Sequence, residues 1–226
     1  MILGVVPAAG LATRLQPLAG SKEVLPVLGR PVIDFLLERM WAGGADEIRV
    51  VTRPEKDDVA RHAEGAGAVV VRARPDTVSA SVLAGLAGAE ADDVVLLGFP
   101  DTVWEPVEGF RPLVSALEEG YEVALGLFAG DELERSDVVT VNEHGRVERV
   151  DVKPARPSSP LLWGCAAARA QALRGLEGHA EPGDYFDELA RRGVVRGIQL
   201  SDVYADIGTP EALRRIARPA PPAGDR

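Results

Sequence analysis

The feature that most constrains the fold is an alternation in the first hundred residues. Apolar runs at 2–6, 47–52, 68–72 and 93–98 are separated by stretches whose apolar residues recur every three or four positions: Ile33, Leu36, Leu37, Met40 and Trp41, then a weaker pattern over 55–64, then Val78, Val82, Leu83 and Leu86. Short apolar runs alternating with helical periodicity predict strands and crossover helices, and hence an α/β fold with a doubly wound, mostly parallel, Rossmann-like sheet. The run 68–72 reads as a buried strand, and Pro31 is placed in the first turn of the first long helix.

After residue 110 the texture changes. A helix is expected over 110–119 and a strand over 121–128. Strands at 136–141 and 146–150 flank Asn142-Glu143-His144-Gly145, a hairpin signal, and 161–168 is expected to pair with them as a small antiparallel insertion. A short helix follows from 184 and a strand over 194–200. Thr209, Pro210 and Glu211 then specify a helix start by capping, fixed φ and dipole complementarity. The expected organisation is one domain over 1–218, with halves 1–128 and 129–218, followed by a Pro-rich disordered tail at 219–226.

Composition narrows the function. A net charge of −10 opposes a nucleic-acid surface, so any phosphate site must be a local cluster of cations. One cysteine, Cys165, allows no disulfide framework. His62, His144 and His179 lack metal-ligand spacing. No apolar run reaches membrane-spanning length and no basic leader precedes the first strand, so the expected location is cytoplasmic, without a membrane partner.

The first strand runs into Pro7-Ala8-Ala9-Gly10-Leu11-Ala12-Thr13-Arg14-Leu15 and then Ser21-Lys22-Glu23-Val24-Leu25-Pro26-Val27. Small residues let the backbone approach a ligand closely, and two cations eight positions apart each follow a hydroxyl residue. This is polyphosphate chemistry, yet neither G-x-x-x-x-G-K-[ST] nor G-x-G-x-x-G is present. The stretch resembles the opening motifs of the sugar-phosphate nucleotidylyltransferases, the NDP-sugar pyrophosphorylases related to glucose-1-phosphate thymidylyl- and uridylyltransferases, roughly A-G-G-x-G-T-R-L and P-K-x-L-L-P-V. Ala9 and Ala12 stand where that family has glycines.

The resemblance extends over nearly the whole chain and implies an enzyme that condenses an NTP with a sugar-1-phosphate, with Mg²⁺ as cofactor. It assigns Arg14, Lys22 and Asp101 as catalytic residues, and Ala8, Ala9, Gly10, Thr13, Arg14, Lys22, Arg72, Thr77 and Asp101 to the nucleotide. Asp137, Val152, Lys153, Trp163 and Gly164 fall to the acceptor, and Asp101 and Asp206 to the metal. It leaves room for a homo-oligomer.

Four positions depart from the family pattern. Arg72 and Thr77 replace a Gln and a Gly that read the base; Asp137 replaces a Gly and Val152 a Glu on the sugar side. Because a guanidinium only donates hydrogen bonds, Arg72 at a base edge disfavours thymine, whose N3–H needs an acceptor; the alternative is that Arg72 turns outward to solvent and the backbone reads the base. Those departures keep open cytidylyl transfer to a non-sugar phosphate or phosphonate. They equally keep open a catalytically silent sensor of nucleotides or sugar nucleotides.

Overall fold

The computed structural model describes residues 1–11 and 20–207. Thr13, Arg14, the expected helix from Thr209 and the expected tail at 219–226 lie outside the described residues.

In chain order the elements are β1 (Ile2–Pro7), β2 (Pro26–Val27), β3 (Arg30–Pro31), α1 (Ile33–Ala42), β4 (Glu47–Thr52), α2 (Asp57–Gly65), β5 (Val69–Arg72), α3 (Val78–Gly85) and β6 (Val94–Gly98). They continue with β7 (Thr102–Trp104), α4 (Phe110–Glu118), β8 (Val123–Ala129), β9 (Asp137–Val141), β10 (Val147–Val152) and β11 (Leu161–Arg169). The last described elements are α5 (Ala170–Leu173), α6 (Pro182–Arg191), β12 (Val195–Ser201) and β13 (Tyr204–Asp206).

Among the described residues nine strands share one sheet, in the order β10-β9-β11-β6-β1-β4-β5, with β8 pairing β11 and β12. The β1, β4, β5 and β6 strands are parallel, β11 runs antiparallel to β6 and β8, and β12 is parallel to β8. Alternating side chains build a core on each face. Leu3, Val5, Val95 and Leu97 pack on one side with Val82, Leu173, Phe186 and Leu189. On the other side Val6, Ile48, Val50 and Leu96 meet Leu36, Met40, Val59 and Leu113. This is the three-layer arrangement expected of a parallel sheet covered by crossover helices.

Three local expectations change. The run 68–72 is an edge strand, so Val69 is 46% exposed rather than buried. Its apolar run reflects β propensity, and among the described residues no strand pairs with its outer edge. Pro31 belongs not to α1 but to the short β2–β3 hairpin, paired with Pro26. The strand at 161–169 pairs chiefly with β6 and β8, with Leu162 and Val138 its one register pair to β9, so it joins the parallel half to the antiparallel half.

The connectivity fixes where a ligand can enter. The chain steps from β1 outward through β4 to β5, then returns to β6 on the other side of β1. Where the winding reverses, the loops leaving the carboxyl ends of β1 and β6 diverge and leave a crevice.

Candidate functional site at the switch point

That crevice opens into a cavity of about 630 Å³. Lys22, Arg53, Thr77 and Asp101, on the segments that follow β1, β4, β5 and β6, line it together with Asp137, Lys153, Trp163 and Glu181 from the antiparallel half. Asp206 and Tyr204 come in from β13.

The turn after β1 is held from behind by cations. Lys56 Nζ donates to the carbonyl oxygens of Ala8 at 2.8 Å and Gly10 at 3.0 Å, and to Glu23 Oε1 at 2.7 Å. Arg53 Nε donates to the Ala9 carbonyl at 2.8 Å, and its Nη2 to the Pro75 carbonyl at 3.1 Å. Glu23 is fully buried. Burial pushes its carboxyl above the usual range, with the Lys56 charge and hydrogen bond opposing the rise. Ser21, just before the turn that carries Lys22, is pinned to α2: its amide and hydroxyl donate to the two Asp58 oxygens at 2.7 and 2.8 Å. Desolvation would raise the Asp58 carboxyl, but these hydrogen bonds hold it below its ordinary value.

Lys22, at the cavity wall, donates to Asp101 Oδ2. Burial alone would lower its ammonium pKa; the charge and hydrogen bond of Asp101, aided by Glu23 and Asp206, hold it above the ordinary value. Asp101 follows β6, and the Ile207 amide donates to its carbonyl at 2.8 Å. Asp206 is the register partner of Thr102 in the β7–β13 pair. A buried arginine supports this pair: Arg39 of α1 donates to the Trp104 and Phe35 carbonyls, each at 2.7 Å. Tyr204 is half-buried, and desolvation, reinforced by the charges of Asp206 and Asp101, pushes its phenol well above the ordinary range.

Two carboxylates from adjacent backbone positions therefore face one cavity. Among the described residues no group of three or more His, Cys, Asp or Glu side chains could hold a metal ion. Two carboxylates suit Mg²⁺, which takes one or two from protein and fills its octahedron with phosphate oxygens and water. The donor set fits the cofactor expected from the sequence.

On the far side, Asp137 and Val152 are cross-strand partners, which brings Lys153 beside Asp137 at the cavity wall. Lys153 has φ of 44°, left-handed and strained for a residue with a Cβ, and its Nζ pairs with Glu181. Asp137 is pushed up to about 6, chiefly by burial; the Lys153 charge and a 3.2 Å hydrogen bond from Trp163 Nε1 oppose the rise, and Glu181 and Asp184 add to it. Its carboxylate lies against the first turn of α6, where a Cβ on Gly183 would sit 2.3 Å from Asp137 Oδ2. Trp163 meets Phe99 at a tilt and Phe186 edge-on, at centroid distances of 5.3 and 5.2 Å.

The cavity thus gathers Ala9, Gly10, Lys22, Thr77, Asp101, Asp137, Lys153, Trp163 and Asp206, with Ala8 buried at the base of the turn. Thr77 also caps α3, accepting from the Ala80 amide at 3.0 Å. Arg72, Val152 and Gly164 are not among the lining residues. Arg72 instead donates to the Pro54 carbonyl at 2.8 Å and pairs with Asp57 at 2.9 Å. Gly164 is a packing residue: a Cβ there would lie 2.3 Å from the Tyr204 ring, so its bareness lets β13 close over β11. Sequence reasoning missed Arg53, Lys56, Glu23 and Arg39. The one signal was the Arg53-Pro54-Glu55-Lys56 run directly after β4, two cations at the carboxyl end of a central strand.

Residues 4–192 match the MobA-like NTP transferase domain family. A glucose-1-phosphate thymidylyltransferase of Neisseria meningitidis is 27% identical over 165 residues, 69% of this chain and 57% of that one, so the match spans little more than half of that relative. A UTP–glucose-1-phosphate uridylyltransferase of Streptococcus pyogenes is 42% identical over 60 residues, 26% of this chain and 20% of the relative. In fold the chain is similar to a Bacillus anthracis protein assigned as a glucose-1-phosphate thymidylyltransferase and solved with sucrose. The TM-score is 0.84 at 20% identity, over 96% of this chain and 94% of that one. It is also similar to a UDP-glucose pyrophosphorylase complexed with UDP-glucose, with a TM-score of 0.81 at 17% identity over 96% and 97% of the two chains. The chain belongs to the MobA-like NTP transferase domain family.

Proposed function

We propose that the protein transfers a nucleotidyl group from an NTP to a sugar-1-phosphate, giving an NDP-sugar and pyrophosphate, with Mg²⁺ as cofactor. The observation that carries this reading is one crevice at the switch point with Lys22, Asp101 and Asp206 toward β1 and β6 and Lys153 on the opposite wall. A phosphate-binding cation on each side suits two phosphorylated substrates meeting at a reacting phosphorus.

In the reaction a phosphate oxygen of the acceptor attacks the α-phosphorus in line. The bond from the α-phosphorus to the bridging oxygen of the β-phosphate breaks, and pyrophosphate leaves with the electron pair. The nucleophile is already ionised at neutral pH, so no general base is needed and catalysis is positioning and charge neutralisation. Lys22 stabilises charge around the α-phosphoryl group, and Arg14, outside the described residues, holds the leaving pyrophosphate. Lys153 anchors the acceptor phosphate as a point charge, which requires it to exchange Glu181 for the ligand. Asp101 and Asp206 would hold Mg²⁺, which when bound neutralises charge on the triphosphate oxygens.

The base is left to the segment Pro75–Val78, which lines the cavity, while Arg72 is engaged elsewhere. Arg72, turned to Pro54 and Asp57, gives no ground for disfavouring thymine. A second acceptor class, a non-sugar phosphate or phosphonate, is kept in view by Asp137, a half-buried carboxyl that lines the acceptor wall; Val152 is not among the lining residues and adds nothing to it.

The test is pyrophosphate release with Mg²⁺ and each NTP against a panel of sugar-1-phosphates, other phosphate monoesters and phosphonates. Release with one NTP–acceptor pair is the expected result. Nucleotide binding with no release across the panel would overturn transfer in favour of a sensor.

A further inference from the structure

The buried charges behind the β1 turn touch neither wall residue assigned to the acceptor, and nucleotidyl transfer as described above gives them no role. Yet Lys56 is only 11% exposed at its side chain and Glu23 only 1%. An ammonium has three N–H donors, and the three acceptors on Lys56 come from two separate segments: Ala8 and Gly10 in the turn after β1, and Glu23 in the 3₁₀ turn Lys22–Val24. Arg53 takes the intervening carbonyl, Ala9, and ties it to Pro75 at the start of the loop that leads into α3.

Three successive carbonyls are therefore drawn toward cations. In a trans peptide the N–H points opposite to the C=O, so the amides of residues 9, 10 and 11 are turned away from Lys56 and Arg53. A concave run of backbone N–H groups is an anion-binding surface whose geometry depends on what holds the carbonyls. Glu23 also sits next in sequence to Lys22, so the same ammonium fixes the stem from which Lys22 reaches Asp101.

We propose that Lys56, with Glu23 as its counter-charge, is a positioning residue for the nucleotide. It sets the orientation of the Ala8–Gly10 peptide planes and the placement of Lys22 together, and Arg53 couples this unit to the base-side loop. The inference rests on the nucleotidyl-transfer reading, and a binding measurement made without turnover separates the two.

Removing Lys56 alone strands a buried carboxylate, so the variant used is Glu23→Gln/Lys56→Met, which is uncharged and of similar volume. Each NTP is titrated calorimetrically onto wild type and variant in Mg²⁺ without acceptor, and kcat and both KM values are then measured. Hydrogen exchange is followed at residues 8–11 and 21–25, with the melting temperature as a folding check. The expected result is a roughly 10- to 100-fold loss of NTP affinity, faster exchange in both segments, and an acceptor KM within about twofold of wild type. Unchanged NTP affinity in a folded variant would overturn the proposal, as would equal losses for both substrates that scale with the folded fraction. If wild type binds no NTP at all, the nucleotidyl-transfer reading fails first, and the proposal with it.

Discussion

The two ends of the cavity are built by different means. At the nucleotide end, side chains grip backbone: Lys56 and Arg53 hold four carbonyl oxygens, and Asp58 holds the Ser21 amide. At the acceptor end, side chains meet side chains: Trp163 donates to Asp137, Lys153 pairs with Glu181, and the Trp163 ring packs tilted against Phe99 and edge-on against Phe186. A site made of shaped backbone is hard to alter without losing the shape. One made of side chains on a hairpin changes by single substitutions. On the proposed function, NTP binding would be a scaffold property and acceptor choice the variable part.

The largest expected effect falls where the ends meet. Asp101→Asn and Asp206→Asn should each lower kcat by roughly 10²-fold or more, since metal-borne charge stabilisation amounts to several kcal/mol. Far-UV circular dichroism should stay unchanged, and raising Mg²⁺ should restore part of the rate. Near-normal turnover in either variant would remove that acid from the reacting centre.

An intermediate effect is expected at Asp137. Its folded pKa of about 6 lies above the ordinary carboxylate value, so the folded chain binds this proton more tightly than the unfolded chain does. That contribution is present below about pH 4 and is lost as pH rises through about 6. Asp137→Asn removes the cost of burying the charge and should raise stability by about 1–2 kcal/mol at pH 7.5, with the gain fading toward pH 4. Urea denaturation at several pH values reads this directly. A variant less stable at every pH would show that the carboxylate is needed at the start of α6.

The smallest effect is expected at Arg72. Because it is tied to Pro54 and Asp57 outside the cavity, Arg72→Gln should leave the ranking of NTPs by kcat/KM unchanged. A switch in base preference would bring it into the site and blur the line between the two ends.

The division between the ends also explains what could be read from the sequence. The parallel half was legible because β1, β4, β6 and their helices carry unbroken periodicity, and Lys22, Asp101 and Lys153 because each stands in a spaced motif. Arg53, Lys56 and Arg39 were not, since their partners are backbone carbonyls and a carbonyl leaves no mark in a sequence. The edge position of β5 was missed for a related reason. An apolar run has the same composition whether one neighbour covers it or two, and only the strand order decides. The β13 strand went unrecognised because three residues carry no periodicity, and its pairing with β7 spans a hundred positions.

The central claim, one cavity with a nucleotide cation and an acceptor cation on opposite walls, is tested most directly by a crossed kinetic comparison. Lys22→Ala and Lys153→Ala are each assayed for pyrophosphate release while NTP and acceptor are varied separately. Lys22→Ala should lower kcat and weaken NTP use with little change in the acceptor KM. Lys153→Ala should raise the acceptor KM, by about tenfold or more for a lost charge-assisted contact of 1.5–3 kcal/mol, and leave the NTP KM nearly as it was. Two variants that perturb both substrates equally would contradict the account.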